Sequence, residues 1–151
     1  MQVTITITGN KQVKTKMKKL GTSLLDFSDA MKLIGKEVGQ YYQNEAFNSQ
    51  GGVYGRAWQK LSPKTVAAKA RLYPQYTNVP LVATGTMRDS FTSVSSKSTV
   101  IISNKSPYYK YHQSTAPRTI MPRRKMAGIN EPVKAIVKRL IEHDVKRKLE
   151  G

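Results

Sequence analysis

Residues 24–47 read LLDFSDAMKLIGKEVGQYYQNEAF. Within them Phe27, Met31, Ile34, Val38, Tyr41 and Ala46 recur at steps of three, four and five. Residues three or four apart share one face of an α-helix, so the segment is read as an amphipathic helix of about six turns. Thr22 or Ser23 stands where an N-cap oxygen would meet the first free amides. Gly35 and Gly39 sit in the helix interior, each at a cost of roughly 1 kcal/mol against alanine. Their spacing of four admits two readings: a face that lets another element approach closely, or a locally weak helix.

Working outward, residues 2–8 (QVTITIT) alternate strictly and place Val3, Ile5 and Ile7 on one face, the pattern of a half-buried strand. Gly9-Asn10 ends it, and a Lys-rich linker or exposed helix start follows. Downstream, the glycine-rich loop 48–57 has no G-K-[ST] ending and no preceding strand, so it does not read as a phosphate cradle. Ser62-Pro63 opens a short helix to about Leu72, with Ser as cap and Pro at the first helical position. Residues 73–80 read as irregular, and Leu81–Ser90 as a turn into a short helix. Phe91–Val94 and Thr99–Ser103 are rich in β-formers and read as an antiparallel hairpin. Tyr108–Gln113 reads as one helical turn, and residues 114–128 as loop. Glu131-Pro132 opens a last helix to about Leu149, with an apolar stripe of Val133, Ile136, Val137, Leu140, Ile141 and Val145. The expected fold is α+β: a small antiparallel sheet packed against a long N-terminal helix and a C-terminal helix, in a single domain over residues 1–151.

The charge is lopsided. Lys and Arg number 26 against 9 Asp and Glu, a formal net charge of +17. No acid lies between Glu45 and Asp89, and none between Asp89 and Glu131. Such a balance points to a polyanion or an acidic protein surface as partner. The chain has no cysteine, which removes disulfides, thiolate metal sites and Cys nucleophiles and fits a reducing cytosol. The N-terminus lacks the basic and apolar regions of a signal peptide, and no run approaches the ~20 apolar residues of a membrane span.

No catalytic constellation is legible. His112 and His143 have no metal-ligand companion at helical spacing, and His143-Asp144 reads as a solvated helix face. Glu131 and Glu142 lie eleven positions apart on one helix, without the cleft that paired acid–base carboxylates need. The serines show no nucleophile-elbow pattern. The expectation is a non-enzyme without cofactor or metal. Nucleic-acid binding has more behind it: Arg118, Arg123, Arg124 and Lys125, near Tyr108, Tyr109 and Tyr111, combine charge with rings that can stack.

Four short motifs then fall in order. Gly55, Trp58, Leu61, Thr65 and Lys69 form G-x-x-W-x-x-L-x-x-x-T-x-x-x-K. Leu81, Thr84, Gly85, Met87, Arg88 and Ser90 match L-x-x-T-G-x-L-R-x-S with Met for Leu. Asn104, Tyr108, His112 and Gln113 form N-x-x-x-Y-x-x-x-H-Q, and Pro122, Arg124 and Gly128 match an I-P-A-R-P-F-L-G ending. The series resembles the phage virion-morphogenesis family, which includes tail-completion proteins of Mu-like phages. The resemblance covers roughly residues 20–150. The chain departs from the family pattern at Ser114-Thr115-Ala116, where an aromatic and Gly are usual, and at Arg123, Lys125 and Met126, which replace Ala, Pro and Phe.

The motif residues also carry their own physical expectations. Trp58 is expected to anchor the core, Gly85 to serve a backbone turn, His112-Gln113 to hold the following loop, and Pro122 to stiffen it. Arg124 is expected to reach a carboxylate on a neighbouring subunit. The resemblance implies a structural phage protein for tail completion or head–tail joining, at the neck or tail end. It implies copies arranged as a homo-oligomeric ring against other tail or connector proteins, with possible non-specific DNA contact and no membrane. The protein would be assembled in the host cytoplasm and reside in the virion. Interface candidates are Arg118, Arg123, Arg124, Lys125, His112 and Gln113; lumen or DNA-facing candidates are Lys11, Lys14, Lys16, Lys18 and Lys19. The alternative is a non-specific basic nucleic-acid-binding module.

Overall fold

The computed structural model describes residues 2–6, 21, 25–116 and 121–150. Ile7, the Lys-rich segment with Lys11, Lys14, Lys16, Lys18 and Lys19, the expected caps Thr22 and Ser23, and Arg118 lie outside these residues.

Strands β1 (Gln2–Thr6), β2 (Phe91–Ser95) and β3 (Thr99–Asn104) form an antiparallel sheet in the order β1-β3-β2. Ile5 pairs with Val100 and Val3 with Ile102, while Ser93 and Ser95 sit opposite Ile102 and Val100. One alternating face therefore carries Val3, Ile5, Phe91, Val100 and Ile102, of which all but Val3 are buried. The hairpin expected at 91–103 is present, and so is the N-terminal strand.

Helix α1 (Ser28–Tyr41) lies across β2 and β3 and continues into a π-helical turn, Tyr42–Ala46. It buries Ala30, Met31, Ile34, Gly35 and Val38, and the π turn buries Tyr42 and Ala46. Each large apolar side chain removed from water contributes about 1.5–3 kcal/mol. The five-residue step from Tyr41 to Ala46 coincides with this widened turn. The helix starts at Ser28, later than Leu24, and its first turn is bonded by Asp26, whose Oδ1 accepts from Ser28 N at 2.9 Å. The hairpin tip reaches the same end, where Phe27 N donates to the Lys97 carbonyl at 2.9 Å.

The shorter helices are α2 (Pro63–Leu72), α3 (Thr86–Asp89) and α4 (Tyr109–Gln113), and the last helix is α5 (Glu131–Glu150). Ser62 caps α2 by accepting from Thr65 N at 3.2 Å. Gly85, at φ +84°, is the left-handed turn that leads into α3. Helix α5 packs on α1. Asp144, read from sequence as part of a solvated face, is buried there: Arg147 (2.7 Å) and Lys148 (2.5 Å) neutralise it, and Lys148 also bonds the Asp26 carbonyl and lies over the Phe27 ring. The buried carboxylate ties the end of α5 to the start of α1 and tolerates burial because it is doubly paired.

The two helix glycines differ. A Cβ on Gly35 would meet Ser93 Oγ at 2.6 Å, Ser93 Cβ at 2.8 Å and Val100 at 3.0 Å, so at Gly35 the sheet leaves no room for a side chain on the helix. A Cβ on Gly39 would meet nothing within 4 Å. Gly35→Ala is expected to lower unfolding free energy by about 1–3 kcal/mol through overpacking. Gly39→Ala is expected to raise it by up to about 1 kcal/mol through helix propensity. Urea unfolding of both variants checks the pair; a Gly35→Ala protein as stable as the parent would show that helix and sheet separate freely.

Candidate functional site

Residues 121–130 have neither helix nor strand, yet Met126 and Ala127 are fully buried. Buried peptide groups need partners, and a strap without a ladder must take them from side chains. Three regions supply them. From α4, Gln113 Oε1 accepts from Met126 N (2.8 Å) and Ala127 N (3.3 Å), while its Nε2 donates to the Ala127 carbonyl (2.5 Å). From the glycine loop, Trp58 Nε1 donates to the Lys125 carbonyl (2.8 Å) and the Tyr54 hydroxyl to the Met126 carbonyl (3.2 Å). From the π turn, the Tyr42 hydroxyl donates to the Gly128 carbonyl (3.0 Å). Asn130 closes the strap. Its Nδ2 donates to the Tyr41 hydroxyl and the Val53 carbonyl, and its Oδ1 accepts from Val133 N in the first turn of α5.

The glycine loop is the seat of Trp58. Gly51 has φ +84° and a Cβ there would collide with the indole. Trp58 N donates to the Gln50 carbonyl at 2.6 Å, and its ring meets Phe47 edge-on at 5.3 Å. Trp58 is thus the core anchor its composition suggests. Lys69 is an internal brace. Its Nζ donates to the Val79 and Val82 carbonyls at 2.5 Å each, and burial lowers its pKa. Asn104 bonds the Met87 carbonyl at 2.7 Å, joining two of the motifs.

The expected interface residues divide accordingly. Gln113 is buried and holds the loop after it, as its position suggested. Arg124, expected to reach a carboxylate on a neighbouring subunit, turns its guanidinium to a carbonyl of its own chain. It is 6% exposed, donates to the Gln59 carbonyl at 3.3 and 3.1 Å, and burial lowers its pKa. The strap alternates, and the turn that sends Arg123 outward sends Arg124 inward. His112 is half-buried and its carbonyl accepts from Arg124 N at 3.0 Å. Arg123 is exposed and Lys125 half-buried, with its Nζ 4.9 Å above the Tyr54 ring. Of the three tyrosines near this loop, Tyr109 is buried, whereas Tyr108 and Tyr111 are exposed.

Arg56, Arg123 and Lys125 line one cleft of about 450 Å³ with Tyr54, Trp58 and Pro122. Arg56 is not among the residues singled out from sequence; its signal was its place in the acid-free stretch beside Trp58. A second, apolar concavity lies between Ile5 of β1 and Ile129, Val133, Val137 and Ile141. Among the described residues no group of three His, Cys, Asp or Glu is placed to hold a metal ion, and no helix is long and apolar enough to cross a membrane.

These features define a small basic α+β fold whose motif residues brace its interior and which sets Arg56, Arg123 and Lys125 beside a buried strap. The chain belongs to the phage virion morphogenesis family, whose family model matches residues 8–146. No curated protein and no solved structure matches the chain. Membership makes it a bacteriophage protein with a structural or assembly role, associated with the virion.

Gln113→Ala strands two amides and a carbonyl of the strap, and is expected to lower stability by about 2–4 kcal/mol. Arg123→Ala, on the surface of the same strap, should stay within about 0.5 kcal/mol of the parent. Equal losses in chemical denaturation would contradict this division. Burial also raises the pKa of Tyr42, Tyr54 and Tyr109. The folded protein then keeps protons that the unfolded chain releases near pH ~10. Stability is therefore full below that pH and falls as pH rises above it. Melting temperatures taken from pH 8 upward should decline steeply once pH passes ~10, with the three phenols ionising only as the protein unfolds.

Proposed function

We propose that this protein completes the phage tail or joins it to the head, acting as a ring of identical copies at the neck or tail end, and that it is not an enzyme. The observation that carries the reading is family membership over residues 8–146. Support comes from the motif residues, which the structure commits to internal bonds: Trp58, Lys69, Asn104, Gln113 and Arg124 each hold backbone in place. What the domain offers to the outside is shape and positive charge, which suits an assembly part. A closed ring requires two different faces of each copy to meet head to tail. Other tail or connector proteins would be its neighbours, and assembly would take place in the host cytoplasm.

A second reading, non-specific nucleic-acid binding, is favoured by the exposed Tyr108 and Tyr111 with Lys105 and Lys110 close in sequence and Lys110 Nζ 5.1 Å from the Tyr111 ring. The two readings are compatible if the ring encloses passing DNA.

Phage particles produced without the protein should accumulate as separate heads and tails under the electron microscope, and supplying it in trans should restore joined, infectious particles. Normal joined particles in its absence would refute the assembly reading. For the second reading, duplex DNA should bind at low salt and weaken steeply as salt rises; no binding at low salt removes it.

A further inference from the structure

All nine carboxylates of the chain lie outside residues 46–88 and 90–130. Among the described residues, every ion pair involves side chains on α1, α3 or α5. Arg56 comes from the first acid-free stretch, and Arg123 and Lys125 come from the second. The bonds from Trp58 and Tyr54 to the strap bring the two stretches together at one cleft. None of the three cations has a carboxylate within ion-pair distance among the described residues. Three like charges gathered in a concavity repel one another, and an incoming anion relieves that repulsion.

The cleft's other features select the anion. At about 450 Å³ it holds a few side chains, whereas a nucleic-acid duplex presents its phosphates on a convex rod. The two rings of the cleft are already engaged. Lys125 covers Tyr54, whose hydroxyl is already bonded, and Trp58 is 6% exposed with its indole N–H bonded to the strap. Arg56 and Arg123 are exposed and carry planar forks that match carboxylates two bonds at a time. Ala57, Pro122 and the indole edge add an apolar lining that suits a peptide chain. The floor is fixed by the strap's hydrogen bonds, so little ordering is needed on binding.

We infer that this cleft docks an acidic peptide segment of another protein, with Arg56 and Arg123 pairing its carboxylates and Lys125 supplying a third charge. That the partner is a virion protein rests on the proposed function; the chemistry of the cleft does not.

Trp58 is the only tryptophan in the chain and lines the cleft, so its fluorescence reports occupancy directly. Titrating the purified protein with a hexaglutamate peptide at low salt should give a saturable change in Trp58 emission. In the double variant Arg56→Gln/Arg123→Gln, shown to be folded by circular dichroism, the dissociation constant should rise at least tenfold. Lys32→Gln/Lys36→Gln, at exposed positions of α1, removes the same charge elsewhere and should leave it within about twofold. The inference is overturned by an absent Trp58 response in the parent, by an unchanged constant in the folded arginine variant, or by an equal loss in the Lys32/Lys36 variant, which would mean diffuse attraction. A short DNA duplex that binds more tightly than the peptide at the same salt and displaces it from Trp58 would also overturn it, in favour of phosphate. Particles that assemble normally without the protein would overturn the virion reading and leave the peptide result standing.

Discussion

The strap from residue 121 to 130 has to cross the interior without a ladder, and much of the rest of the molecule is arranged to satisfy it. A helix or strand meets its own backbone needs internally; an irregular buried segment cannot. Each orphaned peptide group would cost about 1–3 kcal/mol, a large share of the stability of a domain this size. The partners come from the end of α1, the glycine loop and α4, which are far apart in sequence. The strap therefore closes the fold. The chain reaches it last but one, just before α5, whose first turn is capped by the strap's own Asn130.

This requirement explains the residue types involved. Gln113 must both accept from two amides and donate to a carbonyl, which glutamate when ionised or an aliphatic side chain cannot do. Trp58 is a donor only, and it faces a carbonyl. Tyr42 and Tyr54 span longer gaps with rings that fill the core and hydroxyls that reach backbone oxygen. The π turn at Tyr42–Ala46 belongs to the same solution. Tyr41 and Tyr42 are adjacent, yet their hydroxyls engage Asn130 and Gly128 two residues apart on the strap. Gly51 has no alternative, because the indole occupies the space a Cβ would need.

Periodicity and turn chemistry made most elements legible: the strand at the N-terminus, the hairpin, the Ser62-Pro63 start of α2 and the apolar stripe of α5 all follow local rules. What was hidden is non-local. Asp144 sits beside an exposed His143 and reads as solvated, but the crossing of α5 over α1 buries it between two cations. Arg124 reads as one more surface charge in a basic loop, and only the alternation of an irregular strap turns it inward to a carbonyl. Charge and hydropathy do not separate it from Arg123; only the match of Arg124 to the I-P-A-R-P-F-L-G pattern does. The cleft was half legible: Arg123 and Lys125 stood out as charges, but Arg56 joins them only through the Trp58 hydrogen bond to the strap. Gly35 and Gly39 show the same limit, since identical residues one helical turn apart differ in whether a strand lies against them.

Within the strap, residues that match the I-P-A-R-P-F-L-G pattern of the resemblance and residues that depart from it play different parts. In the I-P-A-R-P-F-L-G pattern, Arg124 and Gly128 match, and both are bonded inward, Arg124 to the Gln59 carbonyl and Gly128 to the Tyr42 hydroxyl. The departures include Arg123, Lys125 and Met126. Met126 is fully buried where the pattern has Phe, a flexible side chain filling an aromatic's place. Arg123 and Lys125 stand where the pattern has Ala and Pro, and both line the cleft. Within the pattern the one side chain that braces the strap, Arg124, thus falls on a matching position, while two of the three cations of the cleft fall on positions that do not match. Arg123 and Lys125 enter the strap's internal bonds only through the Lys125 carbonyl, which any residue supplies, while the Lys125 ammonium lies over the Tyr54 ring. The Arg123 side chain, exposed and outside those bonds, can be set by whatever the cleft meets.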